Sequence, residues 1–143
     1  MAILKDAAYQ FNGCEFEIIL KEKEKEEEGI ISTVFFHFGT SFPELKADIS
    51  CLQKDLISAF LDMKNIDTIT PKVFTTQDPG LSIYYIPEST RNGIDDVLYR
   101  LIFVIDAGEI NQYIATEAGP ALCLLVTKKQ INSFVQEYIN EMK

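Results

Sequence analysis

The sequence predicts a single α+β domain in which a mainly antiparallel sheet of about six or seven strands packs against two main helices. Three observations lead to this prediction. Short segments rich in β-branched and aromatic residues recur along the chain, turn-forming residues separate them, and two longer segments carry apolar residues at helical spacing. The 143 residues fit one domain, residues 1–143, because domains are typically about 100–150 residues long.

The first two predicted strands flank a run of charged residues. Residues 15–20, EFEIIL, and residues 30–38, IISTVFFHF, have the composition of strands, and KEKEKEEEG at 21–29 lies between them. Gly29 tolerates the backbone angles of a turn, so we predict a hairpin whose tip is the charge run. Lysine and glutamate alternate in the run and much of the charge cancels locally, which favours a solvated turn over a binding site.

A third strand and the first helix follow. Residues 44–49, ELKADI, alternate as a strand does, and apolar residues then recur at helical spacing as far as Asn65. Ser50 and Gln53 match the S-x-x-Q capping box, in which the two side chains bond the first free N–H groups of a helix. The first helix is therefore predicted to begin at Ser50.

Four more strands are predicted in the second half, separated by turn residues. They lie at residues 81–86, 97–105, 110–116 and 121–126. The second of these, VLYRLIFVI, is apolar on both faces, which is typical of a strand covered on both sides, here by helices or by a dimer partner.

The chain is predicted to end in an amphipathic helix. Thr127 and Gln130 repeat the capping box, so the helix should begin after Thr127. The apolar residues that follow recur at helical spacing and form one face for docking on the sheet. They are Ile131, Phe134, Val135, Tyr138 and Met142.

Two segments of the chain align without a gap, residues 36–53 with residues 113–130. Three of the aligned pairs are identical: Pro43 with Pro120, Leu45 with Leu122, and Gln53 with Gln130. The alignment predicts a duplicated unit of strand, turn, strand and helix, at residues 30–65 and 107–143, with both helices on one face. The alternative is chance, because strand-to-helix junctions favour the same residues.

Charge and hydropathy exclude several classes of function. Thirteen Lys and Arg against 22 Asp and Glu give a net charge of −9, so the basic footprint of a nucleic-acid-binding protein is missing. No apolar run approaches the roughly 20 residues of a membrane helix, and the N-terminus lacks the pattern of a secretory signal. We therefore predict a soluble cytoplasmic protein that binds neither nucleic acid nor membranes.

Few residues are candidates for chemistry. The three cysteines are scattered, with no CxxC pair, and are expected to be reduced and mostly buried, so we predict neither a metal centre nor a cofactor. His37 is the only histidine, and its isolated position on a strand favours a surface or satisfied core residue over a catalytic one. No catalytic residue is predicted, although an enzyme with an unrecognised site stays open.

Acidic residues near strand ends are the predicted partner-binding site. Turns between neighbouring strands could gather them at one rim, where they would accept lysines and arginines from a partner, although their pattern favours solvated turn acids over such a site. They are Asp95, Asp96, Asp106, Glu109 and Glu117. The tyrosines at 84, 85, 99 and 113 are expected either to form an aromatic recognition patch or to pack in the core.

The last part of the chain, TEAGPALCLLVTKKQINSFVQEYINEM, with the acidic strand-helix unit that ends at Met63, resembles small acidic bacterial immunity proteins, in particular the WapI-like group. The resemblance covers residues 30–143 by pattern and does not extend to the KEKEKEEEG run. It implies strands that precede a capped helix in each part, and an intracellular protein that neutralises a toxin. No binding residue is transferred from the group.

The leading hypothesis is a non-enzymatic binding protein of immunity or inhibitor type, which masks a basic protein partner such as a toxin through acidic turns. Two alternatives remain open. One is a small-molecule-binding domain or enzyme with a pocket between sheet and helices. The other is a homodimeric adaptor that closes an exposed sheet edge or apolar face.

Overall fold

Two antiparallel sheets, rather than one, form the framework of the chain. The structure is a computed structural model that describes residues 1–23, 29–65, 70–76, 80–88 and 98–142. Within these residues it is an α+β fold with two sheets of four strands each and four helices. The predicted fold class is confirmed, whereas the predicted single sheet of six or seven strands with two main helices is matched only in part.

Sheet 1 is an up-and-down meander in the order β1-β2-β3-β4, and a helix follows its last strand. All neighbouring strands are antiparallel. In chain order the elements are β1 (Ala2–Lys5), α1 (Tyr9–Asn12), β2 (Cys14–Lys23), β3 (Gly29–Phe38), β4 (Leu45–Leu52) and α2 (Gln53–Lys64).

Sheet 2 has the same arrangement, in the order β5-β6-β7-β8, again antiparallel and again followed by a helix. A short helix lies in the connection between its third and fourth strands. In chain order the elements are β5 (Lys72–Thr75), β6 (Leu81–Pro87), β7 (Leu98–Ile105), α3 (Ala107–Gln112), β8 (Ala121–Thr127) and α4 (Lys128–Met142).

The inner faces of both sheets and the apolar sides of α2 and α4 share one core. The ring of Phe16 in β2 stacks on Phe103 in β7, with centroids 4.1 Å apart, and also lies 5.8 Å from the ring of Phe134 in α4. Phe60 of α2 packs edge-on against Phe134 at 5.2 Å. These aromatic contacts join both sheets and both long helices. Each contributes about 0.5–1.5 kcal/mol of stability beyond that of burying the rings.

A second link between the sheets runs through the residues that follow β1. The N–H of Ala7 donates to the carbonyl of Leu125 in β8, and the N–H of Leu125 donates to Oδ1 of Asp6, both at 2.7 Å. The other carboxylate oxygen of Asp6 accepts the N–H of Ala8 and the side-chain amide of Asn12, at 2.8 and 2.9 Å. Asp6 therefore fixes α1 beside the edge of sheet 2.

The C-terminal helix buries the apolar face that the sequence predicts. All five of its predicted core residues are buried. On another side of α4, Glu137 accepts the N–H of Ile3 at 3.5 Å and Glu141 accepts the N–H of Leu20 at 3.1 Å, so the last helix also holds the first two strands. None of the described helices combines the length and apolar character needed to cross a bilayer.

Most of the predicted strands are present. The strands around the charge run are β2 and β3, paired as a hairpin, and residues 24–28 of its predicted tip lie outside the described residues. β6, β7 and β8 match the strands predicted at 81–86, 97–105 and 121–126. The sequence pattern does not predict β1 and β5, because each has only four residues, too few to show a clear alternation.

The strand predicted at residues 110–116 is wrong. Ala107–Gln112 form α3 instead, and Asp106 caps this helix by accepting the N–H of Glu109. The helix ends where Tyr113 adopts a left-handed backbone conformation, with φ 58° and ψ 29°. A side-chain cap at the start and a left-handed residue at the end override the short alternation of apolar residues.

The two predicted capping boxes have different outcomes. At the second, the N–H of Gln130 donates to Thr127 Oγ1 at 3.2 Å and the N–H of Thr127 donates to Gln130 Oε1 at 2.9 Å, as predicted. Ser50 does not cap α2, because β4 continues to Leu52, which is the N-cap and makes no side-chain bond. Ser50 pairs instead with Ile31 of β3, so sheet pairing overrides the capping pattern.

The order of elements repeats along the chain, since four antiparallel strands followed by a helix occur twice. β4 with α2 and β8 with α4 agree with the predicted alignment of the two segments. Residues 113–115, which align with the last three residues of β3, form no strand. The duplication stays a prediction, and the repeated order places the starts of its units at β1 and β5.

Replacing Phe16 with alanine should lower the free energy of unfolding by about 3–5 kcal/mol, because the ring contacts both sheets and α4. Urea denaturation measures the change. Phe11→Ala is the matched control, because the Phe11 ring is 85% exposed and its loss should change the stability by less than about 0.5 kcal/mol. Equal effects of the two substitutions would contradict a core shared through Phe16.

Thr127→Ala should destabilise the protein by about 1 kcal/mol, because it removes the hydroxyl that accepts the N–H of Gln130. Ser50→Ala, which removes the same group from the other S/T-x-x-Q pattern, should change the stability by less than about 0.5 kcal/mol. Thermal and urea unfolding of the two variants test the difference. A larger effect at Ser50 than at Thr127 would show that the caps are assigned the wrong way round.

Candidate functional site

Three of the five acids predicted to face a partner lie in the connection between β7 and β8, defined here as the Asp106 loop (residues 106–120). Glu117 is exposed, Glu109 is half-buried in the first turn of α3, and Asp106 is only 5% exposed. Asp95 and Asp96 lie outside the described residues. The structure therefore gathers part of the predicted acidic site in one loop.

The carboxylate of Asp106 is bonded within its own loop. Oδ1 accepts the N–H of Glu109 at 2.9 Å, and Oδ2 accepts the N–H of Glu117 at 2.8 Å. Thr116 adds its N–H, 3.1 Å from both oxygens, and its hydroxyl, 3.1 Å from Oδ1. Because these donors fill its lone-pair positions, Asp106 organises the loop rather than presenting its charge to a partner.

The same hydrogen bonds stabilise the ionised form of the carboxyl group. The N–H of Glu109 has the largest effect, and together the donors lower the pKa of Asp106 from 3.8 to about 2, although burial acts in the opposite direction. The loop is therefore held by a charged anchor at all but strongly acidic pH.

The backbone of the Asp106 loop includes conformations that side chains rarely adopt. Tyr113 and Glu117 have positive φ angles of 58° and 56°, which cost about 1–2 kcal/mol for residues with a Cβ. Gly119 allows close packing at the other end, where a Cβ would lie 1.9 Å from a carbonyl oxygen of β7. The bonds to Asp106 offset this strain and favour a single conformation of the loop.

This loop holds large apolar side chains in solvent. Tyr113 is 88% exposed, Ile114 is 65% exposed and Ile110 is 41% exposed. A single exposed apolar residue is ordinary, but three within five positions on a braced loop form a small apolar patch, in the same loop as the exposed Glu117. An aromatic anchor with a polar and charged surround is the usual anatomy of a protein-binding hot spot.

The sequence pattern hides this patch, because it assigns residues 110–116 to a strand with alternating burial. A signal that could have located the loop is the spacing of Asp106 and Glu109. An Asp followed three residues later by a Glu is a helix N-terminal pattern, and it ends the preceding strand at Ile105.

A second candidate surface is an open cleft of about 890 Å³ between α1 and the connection from β3 to β4. Its lining includes four aromatic side chains and, among the described residues, no charged one. The backbones of two glycines in the lining pack closely, since a Cβ on Gly13 would lie 2.7 Å from the Cα of Gly39. The aromatic residues of this aromatic cleft are Tyr9, Phe11, Phe38 and Phe42.

His37 lies on the outer face of sheet 1 and is paired with carboxylates. Its Nε2 is 3.0 Å from Glu17, its Nδ1 is 3.5 Å from Glu44, and its ring stacks on Phe35 with centroids 5.8 Å apart. These contacts involve both ring nitrogens and the face of the ring.

The three cysteines differ in exposure, and the four tyrosines predicted as a patch do not lie together. Cys51 is buried and Cys14 half-buried, with burial raising the pKa of the Cys14 thiol, but Cys123 is exposed, contrary to the expectation of mostly buried thiols. The described residues contain no cluster of three or more His, Cys, Asp or Glu able to hold a metal ion. Tyr85 and Tyr99 stack 4.8 Å apart in the core, whereas the other two predicted tyrosines lie elsewhere and are exposed.

Comparisons with family models, with curated proteins and with solved structures found no match for this chain. The resemblance to WapI-like immunity proteins therefore stays a prediction, and function has to be argued from the geometry of the two candidate surfaces.

Asp106→Asn should destabilise the protein at neutral pH, because an amide N–H₂ would face backbone donors in place of a carboxylate oxygen. The pKa of Asp106 is lowered in the folded state, so its stabilising effect is fully present above about pH 4 and is lost as the pH falls through about 2. The difference in unfolding free energy between wild type and Asp106→Asn should therefore shrink between pH 4 and pH 2.

Urea unfolding of both proteins at several pH values measures this difference. Glu117→Gln is the control, because its side chain is exposed and the substitution keeps the backbone N–H that bonds Asp106. A gap between wild type and Asp106→Asn that stays constant from pH 6 to pH 2 would contradict the anchoring role.

Proposed function

We propose that this chain is a non-enzymatic cytoplasmic binding protein of immunity or inhibitor type, which occludes a basic protein partner such as a toxin with its Asp106 loop. The observation that carries the proposal is the display of Tyr113 and Ile114, 88% and 65% exposed, on a loop held by the Asp106 carboxylate. Exposing such side chains is unfavourable in the free protein, and contact with a partner removes that cost.

The bracing of the loop supports an inhibitor-like mode of binding. A loop that is already ordered loses little conformational entropy on binding, so more of the contact energy appears as affinity. Tyr113 offers a rigid ring with a hydroxyl at its tip, which can fill an apolar pocket and still form a hydrogen bond. Ile114 and Ile110 extend the apolar contact on either side in sequence.

Charge supports the choice of a basic partner. The chain carries a net charge of −9, and Glu117 is exposed in the same loop. An acidic protein attracts a basic partner over long range and repels acidic ones, which raises the association rate and the specificity more than the affinity. Of the predicted acids in the described residues, Glu109 and Glu117 can contribute here, whereas Asp106 acts by holding the loop.

The aromatic cleft favours a second candidate function, the binding of a small uncharged ligand. Its volume of about 890 Å³ lies within the usual range of ligand pockets, about 300–1,000 Å³, and its lining includes four aromatic side chains. The two candidates use different residues, Phe11 and Phe42 in the cleft and Tyr113 and Ile114 in the loop. Substitutions can therefore separate them.

The double substitution Tyr113→Ala with Ile114→Ala should weaken binding of the protein partner at least about tenfold, because hot-spot truncations commonly lose more than about 1.4 kcal/mol. The partner is first captured from lysate of the source cell on immobilised wild-type protein at low salt, and its affinity is then measured by calorimetry with purified components. Raising the salt from about 50 to about 500 mM should weaken the wild-type complex, because screening removes charge attraction.

Phe11→Ala is the matched control, since it also removes an exposed aromatic ring but leaves the Asp106 loop intact. It should bind the partner as wild type does. Loss of binding with Phe11→Ala but not with the double variant would move the contact to the aromatic cleft. Capture of an acidic partner whose binding ignores salt would contradict the charge argument.

A further inference from the structure

The outer face of sheet 2 is unusually apolar for a solvent-facing surface. Register places Val73, Tyr84, Ile102 and Cys123 side by side across the four strands, on the side opposite the core. Val104 and Leu125 extend this row along β7 and β8. Val73 is 55% exposed, Tyr84 is 40% exposed, and Cys123 is exposed, so no described element covers the row.

The central strand β7 is apolar on both of its faces. Its side chains alternate between Leu101 and Phe103, which are fully buried in the core, and Ile102 and Val104, which point the other way and are half-buried. A strand that is apolar on both faces normally lies between two layers. Here the described structure supplies the layer on one side only.

Charge distinguishes this face from the rest of an acidic protein. Within the described residues of the face, the charged side chains are Arg100 and Glu88, which pair with each other, Nε to Oε1, at 2.7 Å. A basic partner, as proposed for the Asp106 loop, would find no free carboxylate among these residues. The best match for a face without unpaired charges is another such face. The same face of a second copy of this chain meets this condition, because no unpaired like charges are brought together.

We propose that the outer face of sheet 2 packs against the same face of a second copy of this chain, related by a two-fold axis. Four strands of four, seven, eight and seven residues, about 4.8 Å apart and rising about 3.4 Å per residue, give a footprint of about 420 Å² per copy. Stable interfaces bury about 800 Å² per partner, so this smaller footprint predicts a weak dimer that forms only at high protein concentration.

Sedimentation equilibrium over a range of concentrations tests the dimer. The wild-type mass should rise from monomer towards dimer as the concentration approaches about 1 mM. High salt should strengthen this association, because it screens repulsion between two copies of charge −9. Salt has the opposite effect on the complex with a basic partner, which it weakens. A negative result for the dimer can therefore be distinguished from a negative result for the proposed function.

Tyr84→Glu and Val73→Glu, each at an exposed position, should raise the dissociation constant of the dimer at least about tenfold by placing like charges in the contact. Phe42→Glu adds the same charge at a residue that is 65% exposed outside this face, and should leave the dimer unchanged. Mixing Tyr84→Glu with Tyr84→Lys should restore association, which also shows that both variants fold.

A monomeric mass for wild type at all concentrations would overturn the proposal, and would mean that another partner or solvent covers the face. Equal association of wild type and Tyr84→Glu would overturn it as well, because the contact would then lie elsewhere. Association restored in the mixture of oppositely charged variants, but not in either variant alone, supports it.

Discussion

The stacking of Phe16 on Phe103 is the contact on which the rest of the structure depends, because it joins two sheets that cannot bury their inner faces separately. Each sheet turns an apolar face towards the core, and a single helix covers only part of that face. Each half of the chain therefore uses the other: α4, from the C-terminus, packs beside β1, and α2 contacts α4 through Phe60. Because these contacts span most of the sequence, the native core requires both halves to be in place.

The candidate site depends in a similar way on one buried carboxylate, that of Asp106. Asp106 is charged and acidic, as a partner-facing residue would be, yet its oxygens accept donors from its own loop. The charge of Asp106 stabilises a backbone that Tyr113 and Glu117 would not adopt readily on their own. Acidity in a turn can thus serve order rather than recognition, and the recognition we propose rests mainly on the apolar side chains that this order displays.

The sequence predicts the local elements well and their assembly less well. Strands with clear alternation, and the helix capped by Thr127 and Gln130, follow from interactions within a few residues. The division into two sheets does not follow from local interactions, because antiparallel strands have the same local sequence pattern whether they form one sheet or two. Ser50 shows the limit directly: its pattern is a cap, but pairing with Ile31, distant in sequence, decides its structure. For the same reason, the exposed patch around Tyr113 is invisible to a pattern that infers burial from alternation.

The bonds from Asp6 and Ala7 to Leu125 also affect how the protein behaves in crowded solution. β8 is an edge strand, and an unpaired edge is a template for another strand, the first step of edge-to-edge aggregation. Here both backbone groups of Leu125 are occupied, and the N–H of Thr127 is occupied by Gln130. A strand approaching β8 would have to displace these bonds. The segment after β1 therefore protects the β8 edge of sheet 2 from unwanted growth, a protection that a shortened N-terminus would remove.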